Sequence, residues 1–152
     1  MLPATAFKVK VLALLLALTG LGLGVGHAGE KIRVELYLGE NTPPAPHVTV
    51  APDKLAKSLQ TVFGFKHYEL VKAHDIELSH DWQQWAVPRK DLFIRVQPLP
   101  AQPGKPQVVD FEVYKDSKIV AHGKYEPSKG TPLFINGPDF KKGRLIFVLE
   151  AK

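Results

Sequence analysis

Cysteine is absent from the 152-residue chain. Disulfides, thiolate metal sites and a cysteine nucleophile go with it, as does a lipoprotein-type lipid anchor, which needs a cysteine at its processing site. A strong charge of one sign is also lacking. Of 20 basic residues, Lys8 and Lys10 lie in an N-terminal leader, which leaves 18 against 15 acids, a net of +3. Those Lys and Arg are scattered among acids, so the chain carries no nucleic-acid footprint. There is no P-loop and no dinucleotide fingerprint. None of Ser58, Ser79, Ser117 and Ser128 sits in a G-x-S-x-G elbow or an S-x-x-K motif. Internal repeats are not visible, and low complexity is confined to Pro-rich loops.

What is there begins with a leader. Lys8 and Lys10 precede the apolar stretch Val11 to Val25, and Gly26-His27-Ala28 places small residues at −3 and −1 of a cleavage site. This is the three-part pattern of a secretory signal peptide. The apolar run has 15 residues, short of the ~20 a spanning helix needs. The expectation is a signal peptide over 1–28, contact with the membrane only during export, and a mature chain 29–152 in the periplasm or outside the cell. That mature chain is long enough for one domain without staples.

The mature sequence reads as short strands with one helix. Lys31 to Leu38 alternates Ile32, Val34, Leu36 and Leu38 with Lys31, Arg33, Glu35 and Tyr37, the pattern of a half-buried strand with one wet face. Pro52 to Phe63 predicts a helix. Pro52 suits the first position, Asp53 suits the N-terminal dipole, and Gly64 stops it. Leu55, Leu59, Val62 and Phe63 form its apolar stripe. Phe65 to Ser79 predicts a long strand, or two with a bulge near His74-Asp75. Further strands are expected over Gln83 to Val87 and Leu92 to Leu99, joined by a turn at Pro88 to Asp91. A hairpin is expected from Val108–Tyr114 to Ile119–Lys124, and a short strand at Thr131 to Ile135 before a turn at Asn136-Gly137-Pro138. Arg144 to Glu150 is apolar on both faces, which predicts a central strand covered on both sides. Eight or nine short strands with one helix argue for a mainly β domain, an antiparallel β-sandwich or partly open barrel.

Candidate chemistry is thin. His67 and His74 have opposite parity on an extended strand, and His74 and His80 lie about 20 Å apart at ~3.3 Å per residue. Without close ligand spacing, His47, His67, His74, His80 and His122 read as surface histidines and not as a metal site. Asp75 and Glu77 share one strand face, where carboxylates are common without catalysis. Trp82 and Trp85, just after His80-Asp81, are the most informative aromatics. Exposed on a small sandwich they could stack on sugar rings, with His80 beside them. The competing reading is that tryptophan is buried for its area.

The mature chain resembles a loose group of small secreted bacterial proteins of unassigned function. The resemblance rests on the leader, KIRVELYL, the short helix running into VFGFKHYEL, and the closing NGPDFKKGRLIFVLEA. It implies that the helix and VFGFKHYEL belong to the core, and it brings no catalytic residues. The resulting expectation is a non-enzymatic binding or interaction module of the bacterial envelope, without cofactor or metal, whose partner is an envelope protein or a glycan and not nucleic acid. One alternative is a carbohydrate-binding module using Trp82, Trp85 and His80. Another is a small metal-binding protein or hydrolase using His and Asp.

Overall fold

The computed structural model describes residues 30–79, 81–86 and 91–152. The expected leader at 1–28, His80 and the expected turn at Pro88 to Lys90 lie outside the described residues. The described residues build eight strands and one helix in the order β1 (Lys31–Glu40), α1 (Asp53–Phe63), β2 (His67–Glu77), β3 (Gln83–Ala86), β4 (Leu92–Pro98), β5 (Val109–Lys115), β6 (Lys118–Tyr125), β7 (Leu133–Phe140) and β8 (Gly143–Ala151). Two antiparallel four-stranded sheets result, β2-β1-β8-β7 and β3-β4-β5-β6. Among the described residues the fold is mainly β and sandwich-like, with one short helix and no closed barrel.

Two faces meet in the middle. Ile32, Val34, Leu36 and Leu38 of β1 and Leu145, Phe147 and Leu149 of β8 face Leu92, Ile94, Val96, Val109, Phe111 and Val113 of the second sheet. Seventeen buried side chains make this core, against six in a second cluster under the helix. Each large apolar side chain removed from water is worth about 1.5–3 kcal/mol, so the inter-sheet layer carries most of the stability. The second cluster lies on the opposite face of the first sheet, where Leu59 of α1 packs on Tyr37, Tyr68, Ile146 and Val148. β8 is therefore central and covered on both sides, which is what its two-faced apolar pattern requires.

Pro52 stands just before the helix, as its N-cap residue. Gly64 ends it in the left-handed region at φ 79° and donates its N–H to Gln60 O at 2.9 Å. Four expectations are corrected. Val62 is 59% exposed, because the helix rolls toward Leu55, Ala56 and Phe63. The wet face of β1 is confined to its first half, since Tyr37 is buried beneath α1. The bulge in β2 falls at Val71, where Leu36 opposes Lys72 and Tyr37 opposes Leu70. It reverses the parity of everything after it, so His67 and His74 lie on the same side of β2. Finally, Asn136-Gly137-Pro138 is no turn. β7 runs through it, with Gly137 and Pro138 together opposing Leu145. A Cβ on Gly137 would lie 2.5 Å from Leu145 O, so only glycine permits this bulge. The reversal comes at Lys141, at φ 53°.

Candidate functional site

The two sheets treat their outer faces differently. On the first sheet, α1 covers one half and an ionic network fills the other. Arg33 Nε donates to Glu35 Oε1 at 2.8 Å, Tyr37 Oη donates to Glu35 Oε2 at 2.9 Å, and Lys152 and Arg33 both reach Asp75. Burial, then the bond to Glu35, pushes the Tyr37 hydroxyl far above its ordinary pKa. Lys152, then Arg33, holds the Asp75 carboxyl below the usual carboxylate range. Between the network and the first turns of α1 lies a groove of about 530 Å³ floored by Leu70 and Val148. Its polar groups are largely bonded to one another. A larger recess of about 880 Å³ opens at one end of the sandwich against the loop after β4.

No helix among the described residues lies over the outer face of the second sheet. Because Leu92, Ile94 and Val96 point inward, alternation sends Phe93, Arg95 and Gln97 outward, and likewise Asp110, Glu112 and Tyr114 of β5. Pairing sets Phe93 opposite Tyr114 and Arg95 opposite Glu112. The Phe93 and Tyr114 rings stack at 4.7 Å and 11°. The Arg95 guanidinium lies 4.5 Å from the centre of the Trp82 ring and 5.1 Å from that of Tyr114. Its Nε donates to Glu112 Oε2 at 2.5 Å, and Tyr114 Oη donates to the same oxygen at 2.7 Å. Arg95 first, then Tyr114, holds the Glu112 carboxyl below its ordinary pKa, and His122 adds to the pull. Trp82, Arg95, Glu112, Tyr114 and Phe93 thus form one outward cluster.

The tryptophans part company here. Trp85 points between the sheets, is 8% exposed, and stacks on His74 at 5.7 Å and 16°. Trp82 lies on the outer side, half-buried under Arg95. A two-tryptophan platform is therefore not formed, because the strand alternation that the sequence shows places the pair on opposite faces. Asp75 serves Arg33 and Lys152 and is not paired with Glu77. Sequence reasoning passed over Phe93, Tyr114 and Ile119. What joins them is register, which local sequence does not carry: outward on three neighbouring strands, they share one row.

Edges complete the picture. The first half of β2 is strapped by the segment before α1, with Ala51 N donating to Tyr68 O at 2.9 Å and Leu70 N to Thr49 O at 2.7 Å. Its second half shows exposed Lys72, His74 and Glu77. β7 is broken by its Gly-Pro bulge, and β3 has only four residues. Each is a known way of blunting an edge. β6 is different. It runs eight residues without proline, its bulge at Val120 leaves Ala121 to Tyr125 in regular register with β5, and no strand lies beyond it among the described residues. Its residues Ile119 and Val120 are each 49% exposed. Comparison with protein-family models, with curated proteins and with solved structures finds no match for this chain.

Proposed function

We propose that the chain is an exported, non-catalytic interaction module of the bacterial envelope that receives an extended strand of a partner protein along β6. The observation that carries this reading is the contrast among the four edges. Three are strapped, broken or short, while β6 has no strand beyond it among the described residues and carries two half-exposed aliphatic side chains. Strand addition draws affinity from main-chain hydrogen bonds and specificity from alternate side chains. The leader pattern at 1–28 supports the compartment.

The test is capture from a host envelope extract by the tagged chain 29–152. One dominant protein should be retained, and it should slow hydrogen exchange of the β6 amides. Val120→Glu should abolish both effects while leaving the melting temperature within a few degrees, since an exposed side chain away from a network changes stability by about 0.5 kcal/mol or less. Retention that survives Val120→Glu would sink the proposal. A glycan reading retains Trp82, which lies outward near Tyr114, but Arg95 already occupies one of its faces. Trp82→Ala should abolish retention on host glycan if that reading holds, and unchanged retention removes it.

A further inference from the structure

The outer face of the second sheet is organised in three rows across β4, β5 and β6: Gln97–Asp110–Lys124, Arg95–Glu112–His122 and Phe93–Tyr114–Ile119. In the middle row a cation on β4 faces an acid on β5, and the acid faces a basic ring on β6. In the first row an acid on β5 faces a cation on β6. The third row is aromatic and aliphatic, its one polar group, the Tyr114 hydroxyl, turned to Glu112. Val120 is the extra residue of a bulge, since Val113 opposes Ala121 and Tyr114 opposes Ile119. That bulge keeps Ile119 in the third row and sets Val120 beside it. All three rows end in the open at β6.

β6 has one more property. Its ionisable side chains are Lys118, His122, Lys124 and the phenol of Tyr125, and it contains no acid from Lys118 to Tyr125. Like charges directly opposite across strands repel, and opposite charges attract. A second copy of β6 would bring basic groups against basic groups, so the edge disfavours its own kind. An acidic strand satisfies it.

We infer, resting on the strand-addition reading, that the segment taken up by β6 is acidic and carries the order acid-x-acid-x-aromatic along an antiparallel strand. The first acid would face Lys124, the second His122, and the aromatic side chain would lie on Ile119 and Val120. β5 already shows this order on the filled side of β6, as Asp110-x-Glu112-x-Tyr114. The incoming strand repeats on the open side what β5 provides on the other. Its alternate residues turn toward the sandwich side and carry no charge requirement.

Two fluorescein-labelled peptides test this, TDVEVYT and its counterpart TKVKVYT, by anisotropy against the chain 29–152, which holds every described strand and the helix. At about 30 mM salt the acidic peptide should bind about tenfold more tightly. The advantage should shrink at about 300 mM salt, where exposed charges are screened. Lys124→Glu should reverse the order, and Lys124→Gln, which adds no acid beside Asp110, should narrow it. Equal binding of both peptides with protection of the β6 amides would overturn the acidic preference and leave strand addition standing. Failure of both peptides to bind or to protect β6 would overturn strand addition itself.

Discussion

The two sheets share a core and differ in what covers their outer sides. The first is enclosed: α1 lies over half of its outer face, an ionic network occupies the rest, and a short bridge straps one edge. The second is backed by the core and, among the described residues, bare in front, with an aromatic and charged cluster and the open edge of β6. Both sheets follow the same alternation, so the difference does not come from secondary structure. It comes from which outward positions are apolar. Tyr37, Ile146 and Val148 sit together on the first sheet and call for a cover, while the second intersperses Phe93 and Tyr114 with Arg95 and Glu112. One sheet stabilises the fold on two sides, and the other stabilises it on one and presents the remainder.

The sharpest way to break this contrast is to loosen the cover. Leu59 is fully buried between α1 and the first sheet, so Leu59→Ala should cost about 2–5 kcal/mol, read as a lower urea midpoint. A cost near zero would mean that α1 is not an integral layer and that the sheets are alike after all. The next effect concerns edges. Gly137→Ala forces a Cβ against Leu145 O and should cost about 1–3 kcal/mol, seen in thermal melting. Its partner change on the open edge, Val120→Glu, should leave the melting temperature nearly unchanged. If both were neutral, the bulge of β7 would not be the tight feature that its geometry indicates.

Much of this architecture was legible in the sequence because alternation and punctuation are local signals. The helix limits followed from Pro52 and Gly64, and the central place of β8 followed from apolar residues on both of its faces. What escaped was set by partners distant in sequence. The bulge at Val71 exists only against β1, and it changes which way His74 points. Gly137-Pro138 has the composition of a turn, yet it is carried inside a strand because β8 pairs on both sides of it. For the candidate site, Trp82 was visible as an aromatic but its neighbours were not. Phe93, Tyr114 and Ile119 become one row only when three strands are placed in register.

The smallest effect tests whether the bare face is held together by its own charges. Arg95 bridges Trp82, Tyr114 and Glu112 while a third of its side chain remains exposed. Solvent screening therefore limits Arg95→Ala to about 1 kcal/mol or less. A more sensitive reading is protonation. Glu112 titrates below its ordinary value because Arg95 and Tyr114 bond the charged form, and Asp75 does so on the first sheet because of Lys152. A carboxyl whose pKa is lower folded than unfolded binds fewer protons in the folded state. Its contribution is complete above the unfolded value near pH 4 and is lost as pH falls through the folded value. Carboxyl NMR titration should show both groups low in the native protein. Arg95→Ala should raise Glu112 toward its ordinary value and leave Asp75 in place, because the two lie on different sheets with no shared partner. Movement of both together would mean that the outer faces are electrostatically one surface, and the contrast between an enclosed sheet and a presenting sheet would fail.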